Sequence, residues 1–358
     1  MIRIEIDPVW RFRRERDRAS TLVMLDLLNE IRVTGKITFA ARRAGISYRH
    51  AWNLIEKWSD FFEVPLLDRK QGSGTRLTAF GDKLVWAGQR LDARLGPQLQ
   101  NLAQELETEI NQLLPRGPSI IRVHASHGFA VSRLRELLAR EESLGVDLRY
   151  VSNQNSLVSL AHDGCDLAGM HLPRGVLREQ MIAATHGLLN PSVHRVIGLV
   201  TREMGLMVKR GNPFAITSVT DLAGRPLRFV NRDPDSGTRL LFDQLLAQQK
   251  VEGGAISGYE HVEFTHAAVA AYVASGMADV SFGVEAAARQ FDLDFIRLLT
   301  EDYFFVCRKQ LLDLAPMKRM LAIMRGEEFQ TAISKLPGYE PSDPGVVKTI
   351  KEMFDRAR

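Results

Sequence analysis

A change of texture at the run PRGPS, residues 115–119, constrains this chain more than any other feature. Ahead of it apolar residues recur at helical spacing. Behind it short strand-like apolar runs alternate with amphipathic helical segments. A chain of 358 residues is long enough to bury more than one core, so the two textures predict separate domains. Charge divides at nearly the same place. Residues 1–94 hold 18 Lys and Arg against 12 Asp and Glu, while the remainder holds 29 against 31. A basic front suits an anionic partner for that part alone, although by charge alone a solvated basic face is an equal reading.

The front reads as helices closed by glycines. STLVMLDLLNEIRVTG predicts a helix with Ser20 or Thr21 as N-cap and Gly35 as its stop. ITFAARRAG is a short second helix ending at Gly45, and SYRHAWNLIEKWSDFF a third capped by Ser47. VPLLDRKQGSGTRLT predicts a β-hairpin with a Gly-Ser-Gly tip. From Thr78 onward leucines at near-heptad steps predict a long helix with one apolar seam for self-association. Gly96-Pro97 should kink or interrupt it.

Two short helices around a tight turn can place the second in the DNA major groove. Gly45 supplies the turn, Ile46 plugs the angle, and Ala40, Ala41 and Ala44 permit close packing. Trp52 and Ile55, with Ala51 and Trp58, are expected to face inward. Tyr48, Arg49, His50 and Asn53 then form the reading face, since Arg and Asn can make bidentate contacts to guanine and adenine. Arg69, Lys70 and Arg76 flank the hairpin tip, where phosphates would lie.

TGKITFAARRAGISYRHAWNLIEKW and PLLDRKQGSGTRLTAFGDKL, over roughly residues 20–114, resemble the winged helix-turn-helix of molybdate-responsive and LysR-type bacterial regulators. AGISYRHAW is nearest the molybdate-responsive branch, and the wing is shared with the LysR branch. The resemblance implies a homodimer or tetramer joined through the long helix and binding to a double-stranded DNA operator, held by Ser47 together with Tyr48, Arg49, His50, Asn53 and the wing.

Behind residue 119 the strand-helix rhythm predicts mostly parallel sheets. ASHGFAVSRL, DGCDLAGMHL, FVNRDPDSGTRLLFDQLL and GMADVSFGVEAAA resemble the two-lobed periplasmic-binding-protein fold in its effector-domain form, of molybdate type. The expected fold is thus multidomain: an N-terminal segment and winged helix-turn-helix over 1–84, a linker helix over 85–114, and a two-lobed α/β effector domain over 119–358.

Several strand-to-helix turns would converge on the cleft between lobes, each exposing backbone N–H groups that favour an anion. DSGTR carries Ser236, Gly237, Thr238 and Arg239. Ser126 and His127 stand at a second turn, Asn153, Asn155 and Ser156 at a third, and Thr265 and His266 at a fourth. His171 ends a strand at the cleft. Singly, each Ser, Thr or Asn also reads as an N-cap without a ligand. The expected effector is a small anion, molybdate or tungstate, with formate, another small carboxylate or a molybdenum-cofactor-related molecule as alternatives.

Neither a metal ion nor a cofactor is expected. The nine histidines show no H-x-x-x-H spacing, and G-x-S-x-G, G-x-x-x-x-G-K-[ST] and C-x-x-C are missing from the sequence. An enzyme fused to a helix-turn-helix is the lesser alternative to a non-catalytic regulator. Only Cys165 and Cys307 occur, which suits a reducing compartment, and Cys165 should be buried and inert. Without a signal-peptide h-region or an apolar run of about 20 residues, a cytoplasmic protein with no membrane partner is expected.

Overall fold

The computed structural model describes residues 2–14, 17–20, 23–69, 74–113, 120–141, 144–183, 185 and 187–355. The run 115–119 that marks the change of texture lies outside them. The chain forms two compact units, one of residues 7–92 and one of residues 1–6 with 93–358. The second therefore begins within the long helix rather than behind it, and it includes the N-terminal segment that the sequence assigns to the front.

In the first unit the three expected helices are Met24–Thr34, Ile37–Arg43 and Tyr48–Phe62. Gly35 and Gly45 both take left-handed φ values, 68° and 67°, which their lack of a Cβ permits. Ser47 caps the third helix by accepting the His50 N–H at 3.2 Å. The first helix has no side-chain cap at Val23; Ser20 instead lies in a strand, Asp17–Ser20, paired with Arg11–Arg14, and Thr21 lies outside the described residues. The core gathers Leu27, Leu28, Ile31, Ala40, Ala51, Ile55 and Trp58, with Leu66, Leu84 and Val85 below them. Trp52 packs against this core only partly buried, and its ring stacks on Tyr48 with centroids 6.3 Å apart. Strands Leu67–Arg69 and Thr75–Leu77 pair antiparallel as the expected wing.

The helix Ala79–Gln112 is continuous through Pro97, so the expected interruption does not occur. Proline removes the donor for the carbonyl four residues back, a cost of ~3 kcal/mol or more in a helix interior. Here that carbonyl, of Ala93, accepts the Thr265 hydroxyl at 2.8 Å. At the helix's far end Asn111 and Glu107 hold the N-terminal segment, taking the backbone N–H groups of Ile2 and Ile4 at 2.8 Å each.

In the second unit each lobe has a parallel sheet, as expected, but the whole is mixed. In one lobe Ile120–Ala125 lies between Gly145–Tyr150 and Leu167–Pro173, parallel to both. In the other, Phe229–Arg232 lies between Val262–Glu263 and Val280–Val284, again parallel. Two 15-residue strands, His194–Val208 and Asp294–Arg308, run antiparallel through the middle and join both lobes into one curled sheet. At ~3.4 Å per residue such strands reach about 50 Å, enough to serve both lobes. The C-terminal helical stretch is broken at Gly326 into Ala315–Arg325 and Glu327–Ser334.

Between the lobes the long strands carry buried charge. Glu301 accepts Arg202 Nε at 2.9 Å and pairs with His171 Nδ1 at 3.0 Å. Burial pushes the Glu301 carboxyl up, but Arg202 and then His171 overcome this and hold it at about 2.

Candidate nucleic-acid interface and effector cavity

On the helix Tyr48–Phe62, burial falls on Ala51, Ile55 and Trp58. Tyr48, Arg49, His50 and Asn53 therefore project to solvent from its N-terminal half. Tyr48 is 51% exposed although aromatic, held by its stack on Trp52 rather than by the core. Ser47 is exposed too, but its oxygen already serves as the cap. Arg76 is exposed on the wing strand, opposite Asp68. Arg69 ends the other wing strand; its side chain, and the whole of Lys70, lie outside the described residues. The arrangement presents one cation, one imidazole and one amide at the start of an exposed helix, with a second cation on the hairpin. Such groups can address base edges and phosphates.

The second unit contains a cavity of about 190 Å³. Ser126, His127, Ser236, Thr238, Thr265 and His266 of the expected set line it. The strand ends place them there, since Ile120–Ala125 runs into Ser126 and Val262–Glu263 into Thr265. Ser236 and Thr265 both cap helices, accepting Thr238 N–H at 3.2 Å and Ala268 N–H at 2.9 Å.

The other expected ligand residues do not reach the cavity. Asn153 accepts the His171 N–H at 3.2 Å and Ser156 donates to Ser152 O at 2.9 Å, so both are buried structural groups. Asn155 is exposed, and it is the N-cap Ser152 that lines the cavity at this turn. His171 is buried against Glu301. Gly237 packs on it so tightly that a Cβ would come 2.6 Å from His171 Cε1. Arg239 turns away, with Nε 3.0 Å from Asp243 Oδ1 and its guanidinium 4.1 Å above the Tyr259 ring. An i,i+4 partner and a stacking ring hold it, and it is no clamp for an anion.

The strongest group in the cavity is one that strand patterning conceals. Arg232 ends the strand Phe229–Arg232 and is only 8% exposed. Its Nη2 donates to Phe264 O at 2.7 Å, and Asp233 lies 3.9 Å off, but Nε and Nη1 have no hydrogen-bond partner among the described residues. Burial pushes this guanidinium down to about 10, so it is still a cation at neutral pH. A buried cation with unmet donors is costly unless an anion meets them. Burial, then Arg232, lower His127 to about 4 and His266 well below its ordinary value, leaving both imidazoles neutral. A charged residue at the end of the short strand FVNR, where strands meet the cleft, was the sequence signal for Arg232. The linker-helix residues Arg94, Pro97, Gln98 and Asn101 also line the cavity, a placement that no local pattern encodes.

Both cysteine thiols are buried, and burial raises them to about 11 for Cys165 and about 12 for Cys307. Among the described residues no helix is long and apolar enough to cross a membrane.

Residues 134–325 match the PBP superfamily domain, and residues 22–82 match the bacterial regulatory helix-turn-helix protein of the lysR family. The chain belongs to the PBP superfamily and carries a lysR-type helix-turn-helix ahead of that domain, the pairing found in LysR-type regulators. It is 32% identical over 199 residues to the uncharacterized protein YvgK of Bacillus subtilis, covering 56% of this chain and 64% of that one. It is 37% identical over 65 residues to the DNA-binding transcriptional dual regulator ModE of Escherichia coli, covering 17% and 25%. With the molybdenum-pterin-binding protein MopB of Rhodobacter capsulatus it shares 32% over 108 residues, covering 29% and 39%. The chain thus spans less than two thirds of the length of each of these three relatives.

Proposed function

We propose that this protein is a ligand-responsive, DNA-binding transcription regulator rather than an enzyme. Its helix-turn-helix reads a duplex operator, and its second unit holds a small anion, molybdate or tungstate before formate or another small carboxylate. The observation that carries the effector reading is Arg232, a buried cation with two unpartnered nitrogens in a cavity also lined by Ser236 and Thr238. At about 190 Å³ the cavity is smaller than the ~300–1,000 Å³ usual for drug-sized ligands, which suits a compact ion. Similarity to ModE supports the DNA-binding half, and similarity to MopB inclines the effector toward molybdenum chemistry. Self-association fits the linker helix, where Leu102, Leu106, Ile110 and Leu113 stand exposed at three- and four-residue spacing. A homodimer, or a tetramer made of two such dimers, buries that row.

Calorimetry of the full chain against molybdate, tungstate, sulfate and formate tests the effector. Binding tighter than about 1 mM, near −4 kcal/mol, is expected for molybdate or tungstate and should vanish in Arg232→Gln. An unaltered isotherm in that variant, or no binding of any of the four, would overturn the anion reading. Footprinting with the purified protein tests the other half: no protected sequence at moderate salt, with or without anion, ends the regulator reading.

A further inference from the structure

The cavity is walled on one side by the linker helix, and that helix is fastened to both lobes. At one point the Asn101 side chain clamps the backbone of Tyr150, donating to its carbonyl at 2.8 Å and accepting its N–H at 2.7 Å. Two turns earlier the Ala93 carbonyl accepts the Thr265 hydroxyl of the opposite lobe at 2.8 Å. Pro97, which lacks an N–H, is the reason this carbonyl is available. Beside it Arg94 Nε lies 3.7 Å from the buried carboxylate of Glu263. Between the two fastenings, Arg94, Pro97 and Gln98 line the same cavity as Arg232. The lining shared with Arg232 thus includes a second arginine and a glutamine carried by the linker.

We infer that the linker helix is part of the effector site: Arg94 and Gln98 touch the bound anion alongside Arg232, and Ala93–Asn101 is the segment that occupancy loads. The inference rests on the anion reading of the cavity. Several donors brought from separate elements favour an oxyanion with many acceptor oxygens, such as a tetrahedral dianion, over a monocarboxylate. Such an ion competes with Glu263 for Arg94 and adds a further link between the helix and the lobe that carries Arg232. A ligand shifts a conformational balance only by what it contacts differently in the two states, and this segment supplies such a contact.

Calorimetry on the full chain at fixed ionic strength, with molybdate, tungstate, sulfate, phosphate and formate as probes, tests the contacts. Arg94→Ala and Gln98→Ala should each weaken the tightest of these about tenfold, and Arg232→Gln should remove binding. If Arg232→Gln loses binding while the two linker variants bind like the parent chain, the inference fails and the anion reading stands. If the parent chain binds none of the probes, both fail together. Hydrogen exchange checks the fastening without any ligand. Thr265→Val and Asn101→Ala should each speed exchange of the amides of 94–101 by about tenfold or more, and a bound anion should slow it in the parent chain. Parent-like exchange in both variants would overturn the fastening even if anions bind.

Discussion

The Thr265 hydroxyl donates to the carbonyl of Ala93, the residue whose helical donor Pro97 removes. The same oxygen accepts the Ala268 N–H, so one side chain repairs one helix and caps another. Thr265→Val should therefore destabilise the unit by ~2 kcal/mol, by stranding a carbonyl and an N–H. Pro97→Ala returns a helical donor to Ala93, so the cost of Thr265→Val should shrink by about 1 kcal/mol in that background. Denaturant unfolding of the four chains of this cycle measures the coupling; strict additivity would contradict the pairing.

Under the proposed function, the exposed face of the helix Tyr48–Phe62 reads bases and Arg76 on the wing strand contacts phosphate. Arg49→Ala and Asn53→Ala should each cost ~1–3 kcal/mol on a specific operator and little on random duplex. Arg76→Ala should weaken both about equally and lower the salt slope by about 1. Titrations of labelled duplexes at several salt concentrations distinguish the patterns. Loss of specificity on removing Arg76, with none on removing Arg49, would reverse the assignment.

Acid should weaken the second unit in two stages. His127 is lowered to about 4, so between about pH 6.5 and 4 the unfolded chain binds the proton that the folded chain refuses. Stability from this group is complete above pH 6.5 and falls as pH drops toward 4, by ~3 kcal/mol at most. Glu301, held at about 2, adds a loss below the ordinary carboxylate range. His127→Gln should remove its share of the first stage and leave that of His266, which burial also lowers. Thermal melts of the full chain from pH 7 to 4 check this, and an unchanged pH profile in the variant would assign the acid sensitivity elsewhere.

Gly237 meets His171 across the lobes, with room for no Cβ. Gly237→Ala should cost ~1–3 kcal/mol by overpacking, although residue 237 does not line the cavity. Denaturant unfolding measures the loss, and a neutral substitution would mean that the lobes part easily at this point.

Much of the front was written locally. Gly35 and Gly45 stop helices because their φ is positive, Ser47 caps because its oxygen reaches His50 N–H, and the apolar spacing buries Ile55 and Trp58. Trp52 escaped that rule because Tyr48, one helical turn away, gave its ring a second surface to stack on. In the second unit the strand ends were legible, and with them Ser126, Ser236 and Thr265. Local sequence could not say which of those turns opens on the cavity and which is only a cap.

The sequence by itself determined the order of helices, wing and strands, because period, caps and turn residues act over a few positions. Only the tertiary structure decided that Arg232 stays buried with unmet donors, that Arg239 is taken by Asp243 and Tyr259, and that Pro97 leaves its helix unbroken. Each outcome depends on a partner distant in the sequence or brought in by the fold: Thr265 stands 172 positions from the carbonyl it satisfies. Hydrogen bonds of that span are set by how the sheet returns the chain on itself, and no local pattern of residues records it.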